Sequence, residues 1–362
     1  MKLSELETPA LIVDLDVMER NLCRAADYAA AQGLRLRPHT KTHKTPDLAK
    51  LQLSMGAAGL TVAKVGEAEV MVEAGPADLL VAYPVIGARK LQRLIEVARR
   101  TRVTVALDSM IAAGQLSEAA VSGGVKIGVL AEADVGSCRV GVAPGRDLVN
   151  LARGLSELAG LEFDGIAFYP GHILRRDEAA LEALGRLVRS MVGDLRREGI
   201  EPRIVSGGST PTLFHSHRVT GMNEIRPGTY IFNDRNTVAS GACGIEDCAA
   251  YVLATVVSAA RPGQVIIDGG SKTFSSDRLK GAGDEAGFGY IVEEPRAVFA
   301  KMNEEHGFID TRACTRSFQI GERLRVIPNH ICTAVNLHET MYGFRGESVE
   351  RTWTVAGRGK LQ

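Results

Sequence analysis

Between residues 34 and 232 the chain repeats one pattern: a short apolar, β-branched run closed by Gly, Pro, Asp or Ser, then an Ala/Leu/Glu/Arg-rich stretch with helical spacing. This rhythm constrains the fold more than any other feature, because parallel strands need a long crossover between them and a helix is the usual one. The runs at 34–39, 59–65, 78–84, 102–108, 125–135, 161–170, 203–206 and 224–232 predict eight strands. The stretches at 46–55, 66–74, 88–100, 109–120, 146–158 and 178–198 predict helices, the last with Leu181, Leu184, Leu187, Met191 and Leu195 on one stripe. Eight parallel strands with crossover helices close into a (β/α)8 TIM-type barrel. A doubly wound open sheet shares the rhythm, but eight is the barrel's number and no Gly-rich dinucleotide fingerprint follows the first run.

Beyond residue 238 the rhythm changes. Runs at 249–259, 264–268, 289–293, 297–299 and 322–328 read as short strands with no long helix between them. The strong run at 10–16 (ALIVDLD) precedes the barrel and joins this second group. The expected organisation is a barrel over 17–237 and a C-terminal β-rich domain built from 1–16 and 238–362. With 39 glycines spread through short turns, neither disorder nor a fibrous repeat fits. Lys plus Arg and Asp plus Glu are equal at 43 each, leaving no net field for nucleic acid or an anionic membrane. No basic-then-apolar leader opens the chain, and no stretch approaches the ~18 apolar residues of a membrane helix. The 6 scattered cysteines lack a CxxC pair and read as reduced thiols, so the expectation is a cytoplasmic protein.

Barrel sites lie at the C-terminal ends of strands. The first run ends in Arg37-Pro-His-Thr-Lys41-Thr-His-Lys44, and a lysine there forms a Schiff base with an aldehyde cofactor when its surroundings lower its pKa. A solvated basic turn would carry the same residues. The seventh run ends in Ser206-Gly-Gly208-Ser209-Thr210-Pro-Thr212, whose amides and hydroxyls suit a phosphate, and Tyr230 after the eighth run adds a donor. Strand 8 neighbours strand 1 in a closed barrel. A lysine and a phosphate grip side by side are what pyridoxal 5′-phosphate needs. In the second domain, His330 and Cys332 stand at i and i+2, so on a strand both would face one metal, with zinc favoured over magnesium.

Taken together, PHTKTHK (38–44), GGSTPT (207–212), EIRPGTYIFND (224–234) and PNHIC (328–332) resemble the metal-activated, fold-type III pyridoxal phosphate enzymes. This is the D-threonine aldolase and D-serine dehydratase group, related to alanine racemase, and the resemblance runs over nearly the whole chain. It implies that Lys41 carries the Schiff base, with Lys44 as the alternative. It also implies that Arg139, Tyr169 and His172 line the catalytic pocket, with Tyr169 touching the cofactor. Gly208, Ser209, Thr210 and Tyr230 would hold the phosphate, and His330 and Cys332 the metal: zinc, with manganese or magnesium admitted. The His-x-Cys pair and the Gly-Ser-Thr-Pro loop point to the dehydratase branch, which converts D-3-hydroxy amino acids to a 2-oxo acid and ammonia. Retro-aldol cleavage to glycine and an aldehyde is the alternative, and amino-acid racemisation a more distant one. The implied partners are a small D-amino acid and a second copy of the chain, with no nucleic acid and no membrane.

Overall fold

All eight expected barrel runs become strands, most of them shorter than their apolar stretches. The computed structural model describes residues 1–174 and 177–362. The chain opens with β1 (Ala10–Asp14) and α1 (Leu15–Ala31). Then follow β2 (Arg35–Leu36), α2 (Pro46–Ser54), β3 (Leu60–Val62), α3 (Val65–Met71), β4 (Asp78–Val81), α4 (Ala88–Ala98), β5 (Arg102–Leu107) and α5 (Met110–Gly123). The alternation ends with β6 (Ile127–Ala133), α6 (Arg146–Glu157), β7 (Leu161–Phe168), α7 (Glu178–Arg197), β8 (Ile204–Gly207) and β9 (Glu224–Ile225).

One compact unit comprises Cys23–Lys41, Thr45–Gly228 and Gly359–Gln362. Its sheet is parallel throughout, in the order β2-β9-β8-β7-β6-β5-β4-β3. The end strands meet through a single bridge, His39 to Thr61, so the sheet is a curled eight-stranded half-barrel rather than the fully laddered cylinder expected. β2 and β9 are only two residues each because Pro38 and Pro227 follow them, and proline has no N–H for a ladder. Leu80, Ala106, Leu130, Ala167 and Ile204, one from each of β4 to β8, pack into a buried cluster. Beside it lies a buried ionic lock: Arg37 Nε is 3.0 Å from Glu224 Oε2 and its Nη2 is 3.1 Å from Asp78 Oδ2. Gly59 makes room for this lock; at φ +159° its hypothetical Cβ would stand 2.7 Å from Arg37 Nη1.

Local signals set the helix ends. Ser109 caps α5 by accepting the Ile111 N–H at 3.2 Å, and left-handed Gly124 stops it. Asp177 caps α7, whose buried stripe is Leu181, Leu184, Val188, Met191 and Leu195. Val188 takes the place expected of Leu187, which is half-buried.

The other unit comprises Met1–Leu22, Thr42–Lys44 and Thr229–Arg358. It holds α8 (Arg235–Ala239), β10 (Ala250–Arg261), β11 (Gln264–Ile267), α9 (Ser271–Phe274), β12 (Gly289–Ile291), β13 (Val298–Met302) and β14 (Gly307–Asp310). The last elements are β15 (Arg323–Pro328), α10 (Ile331–Leu337), β16 (Thr340–Arg345) and β17 (Ser348–Thr354). The sheet order is β11-β14-β13-β12-β15-β10-β1-β16-β17, and an extra β10–β11 pairing closes six of these strands into an antiparallel β-barrel. β1 lies antiparallel to β10 and parallel to β16, burying Leu3, Leu6, Ala10 and Ile12 with Leu253 and Phe344. Among the described residues no helix is long and apolar enough to cross a membrane.

Candidate active site

Lys41 lies in the turn that follows β2, half-buried. Among the described residues its ammonium has no hydrogen-bond or ion-pair partner; its backbone N–H reaches His39 Nδ1 at 3.4 Å. Lys44 differs in every respect. It is buried, holds a left-handed φ of +53°, and donates from Nζ to Asn336 Oδ1 at 2.8 Å. Covalent attachment of an aldehyde needs an amine lone pair that is not already committed, and of the two lysines Lys41 offers it.

Arg139, Tyr169 and His172 come together on the loops after β6 and β7. The Arg139 guanidinium stacks 4.4 Å from the Tyr169 ring centroid, a cation–π contact. Asp134 shapes the first loop, its Oδ1 accepting the N–H groups of Gly136 (2.9 Å), Ser137 (2.8 Å) and Cys138 (3.1 Å). The Gly136 amide above all, with the Cys138 and Ser137 amides and the nearby His172, holds the Asp134 carboxyl below its usual range. Ser137 joins the loops by donating to the Tyr169 carbonyl and accepting the Gly171 N–H at 3.2 Å. His172 is exposed, with its ring over Gly136, where a Cβ would lie 3.2 Å from Cε1.

A Cβ on Gly171 would run into the Tyr169 ring. Gly171→Ala is therefore expected to swing that ring off Arg139 and lower kcat on the order of 10²-fold, as a misplacement of about 1 Å does. Steady-state kinetics beside an unchanged thermal unfolding midpoint would check this.

Gly208, Ser209 and Thr210 form a buried loop after β8, with Gly208 at φ +81° and Ser209 Oγ 3.2 Å from Thr212 Oγ1. The 3-10 helix Thr210–Arg218 starts here, and no side chain caps its first amides, so N–H groups and hydroxyls remain for an anion. This chemistry fits a phosphate. Tyr230 belongs to the other unit, buried on the short turn Thr229–Ile231.

His330 and Cys332 do not lie on a strand. β15 ends at Pro328, His330 is the extended N-cap of α10, and Cys332 sits in the first turn of that helix. The i, i+2 strand argument thus fails, yet the cap-to-helix bend brings the two side chains into hydrogen-bond contact. Burial alone would push the imidazole pKa down, but the Cys332 hydrogen bond and the charges of Cys332, Asp234 and Asp277 outweigh it and raise it to about 9. Asp277 Oδ2 is 2.9 Å from His330 Nδ1, which leaves Nε2 for a cation. Cys332 Sγ is 3.2 Å from Thr42 Oγ1 and 3.7 Å from Thr229 Oγ1, so the residue that follows Lys41 in the chain touches the thiol. Imidazole plus thiolate is a fitting donor pair for zinc, although no cluster of three or more His, Cys, Asp or Glu forms among the described residues.

Asp277 escaped the sequence reading because 53 residues separate it from His330. Asp134 had a visible signal, an Asp two residues before a glycine. Glu132 and Arg226 had none: both are buried, and burial pushes the Glu132 carboxyl up against the pull of the Arg226 and Arg139 guanidiniums.

Residues 13–236 match the family model described as alanine racemase, N-terminal domain, and residues 249–344 match the putative serine dehydratase domain. The chain belongs to the alanine racemase N-terminal domain family. Within this family it is one of the pyridoxal-phosphate-dependent lyases of fold type III. It is 33% identical to a 3-hydroxy-D-aspartate aldolase of Paracoccus denitrificans, covering 99% of this chain and 93% of the relative. The solved D-threonine aldolase of Filomicrobium marinum superposes with a TM-score of 0.93 at 33% identity, covering 100% of this chain and 98% of that one. The D-threo-3-hydroxyaspartate dehydratase of Delftia sp. HT23 does so at 0.88 and 32% identity, covering 98% of both. A cysteine-to-alanine variant of D-threo-3-hydroxyaspartate dehydratase has been solved in a metal-free form.

Proposed function

We propose that this family member is a pyridoxal 5′-phosphate-dependent, divalent-metal-activated lyase that dehydrates D-3-hydroxy amino acids, as a D-serine dehydratase does, to a 2-oxo acid and ammonia. The observation that carries this reading is the His330–Cys332 pair with Asp277 behind the imidazole. A soft thiolate beside an imidazole favours zinc over manganese or magnesium, and two protein ligands leave coordination positions for a substrate hydroxyl.

When bound, pyridoxal phosphate supplies an electron sink for the breaking Cα bond, and the divalent cation a Lewis acid for the β-oxygen. Lys41, with its uncommitted amine, is the covalent anchor and, once released, the base for the α-proton. Gly208, Ser209 and Thr210 hold the phosphate with amides and hydroxyls, and Tyr230 adds a phenol. Tyr169, clamped by Arg139, walls the pocket. The α-proton and the β-hydroxyl leave as one water, and hydrolysis of the remaining enamine releases ammonia and the 2-oxo acid. This reading takes the working protein as a homodimer.

Retro-aldol cleavage is the second reading, favoured by the 0.93 TM-score with the Filomicrobium aldolase. In it His172 takes the β-hydroxyl proton and the Cα–Cβ bond breaks, giving glycine and an aldehyde. Incubating the metal-loaded protein with D-threonine separates the two. 2-Oxobutanoate and ammonia are expected; glycine and acetaldehyde would establish the aldolase instead, and neither product would overturn both.

A further inference from the structure

We propose that Asp277 is the positioning residue of the metal centre, fixing the His330 ring so that Nε2 is the nitrogen offered to a divalent cation. The inference rests on the His330/Cys332 reading above. Asp277 Oδ2 lies 2.9 Å from His330 Nδ1 and 2.8 Å from Thr333 Oγ1. An imidazole bound to a cation keeps at most one N–H, and the nitrogen that bears it cannot bind the metal. Nδ1 faces the carboxylate, so the proton belongs there and the lone pair falls on Nε2. Negative charge behind the ring also makes Nε2 the stronger donor.

The surroundings hold Asp277 in place through its backbone as well as its carboxylate. Thr333, one turn along α10 from His330, also has its hydroxyl 2.9 Å from the His330 carbonyl, tying ring, backbone and carboxylate into one turn. Ser275, just past α9, adopts a left-handed φ of +66°, a conformation that a residue with a side chain keeps only when its neighbours enforce it. Its hydroxyl is 3.1 Å from Thr333 Oγ1 and accepts the Asp277 N–H at 3.2 Å. Asn329, next to His330 in the chain, donates from Nδ2 to the Asp277 carbonyl at 3.0 Å. Asp277 is not needed to cap the helix, because Asp234 Oδ2 accepts the Ile331 N–H at 3.0 Å. Among the described residues, the hydrogen bonds of the Asp277 carboxylate go to His330 and Thr333 alone.

The test is a zinc titration against a chromophoric chelator, on the full-length, cofactor-loaded chain. Asp277→Ala is expected to weaken zinc about 10–100-fold, the usual effect of losing the outer partner of a histidine ligand. Asp277→Glu should recover most of that affinity. Thermal unfolding of the metal-free proteins should change far less than zinc affinity does, since the carboxylate is partly exposed and acts chiefly on the ligand. Zinc bound by Asp277→Ala as tightly as by the parent overturns the proposal. So does a loss of zinc matched by an equal fall in metal-free stability, which would make Asp277 a structural residue. A different result marks failure of the underlying reading: if the parent binds no zinc, or His330→Ala binds it equally well, the metal pair itself is wrong.

Discussion

Lys41→Ala is expected to abolish borohydride-trappable cofactor and to lower turnover by about 10²–10⁴-fold, the range lost with a positioned acid–base group. Lys44→Ala should leave the trapped adduct intact and cost stability instead. The two lysines stand three positions apart in a motif that treats them alike, and their surroundings separate them. Lys41 is half-buried, and among the described residues its ammonium has no hydrogen-bond or ion-pair partner. Lys44 is buried on a left-handed backbone and donates to Asn336, and losing this hydrogen bond from a charged donor costs about 1.5–3 kcal/mol. Borohydride reduction followed by peptide mapping decides between them. An adduct on Lys44 in the Lys41→Ala protein, with activity kept, would reverse the assignment.

Arg37→Met is expected to destabilise the protein by about 3–5 kcal/mol, the usual result of removing one partner from a buried ion pair. The Arg37 side chain is 1% exposed and that of Glu224 0%, so no water replaces the lost charge. Glu224 would keep the Ser206 hydroxyl at 2.7 Å, a distant Arg35 at 3.8 Å and the field of the buried Arg226, but no directly paired cation. The double variant Arg37→Met, Glu224→Gln should recover much of the loss, because an amide needs no counter-charge. Denaturant unfolding followed by circular dichroism measures both. A single-variant loss below about 1 kcal/mol, the range of an exposed pair, would mean that water reaches the lock. The lock ties β2 to β9, so it also steadies the strand that leads into the Lys41 turn.

Period and punctuation were enough to place the eight parallel strands, their helices and the change to short antiparallel strands after α8. Helical and strand spacings are local consequences of backbone geometry, and Gly, Pro, Ser and Asp end elements by their own φ preferences and side-chain hydrogen bonds. The motif loops were equally legible, because Lys41, His172 and the Gly208–Thr210 turn each follow directly on a strand. Strand length was not: β2 and β9 are cut short by prolines that an apolar count passes over.

His330 and Cys332 show where local reasoning stops. Two residues of spacing suit one face of a strand, but the chain turns at Pro328 and the pair meets across a helix cap, with Asp234 supplying the capping carboxylate from 97 residues away. Asp277, Thr42 and the Arg37–Glu224–Asp78 lock likewise reach their partners from distant segments. The sequence by itself determined the elements, their order and the reactive residue types, since these depend on neighbours within a few positions. Which lysine is tied to an amide, which imidazole nitrogen faces a carboxylate and which charges share a buried pocket were decided only by tertiary structure, because burial and hydrogen bonding are set by groups far apart in the chain.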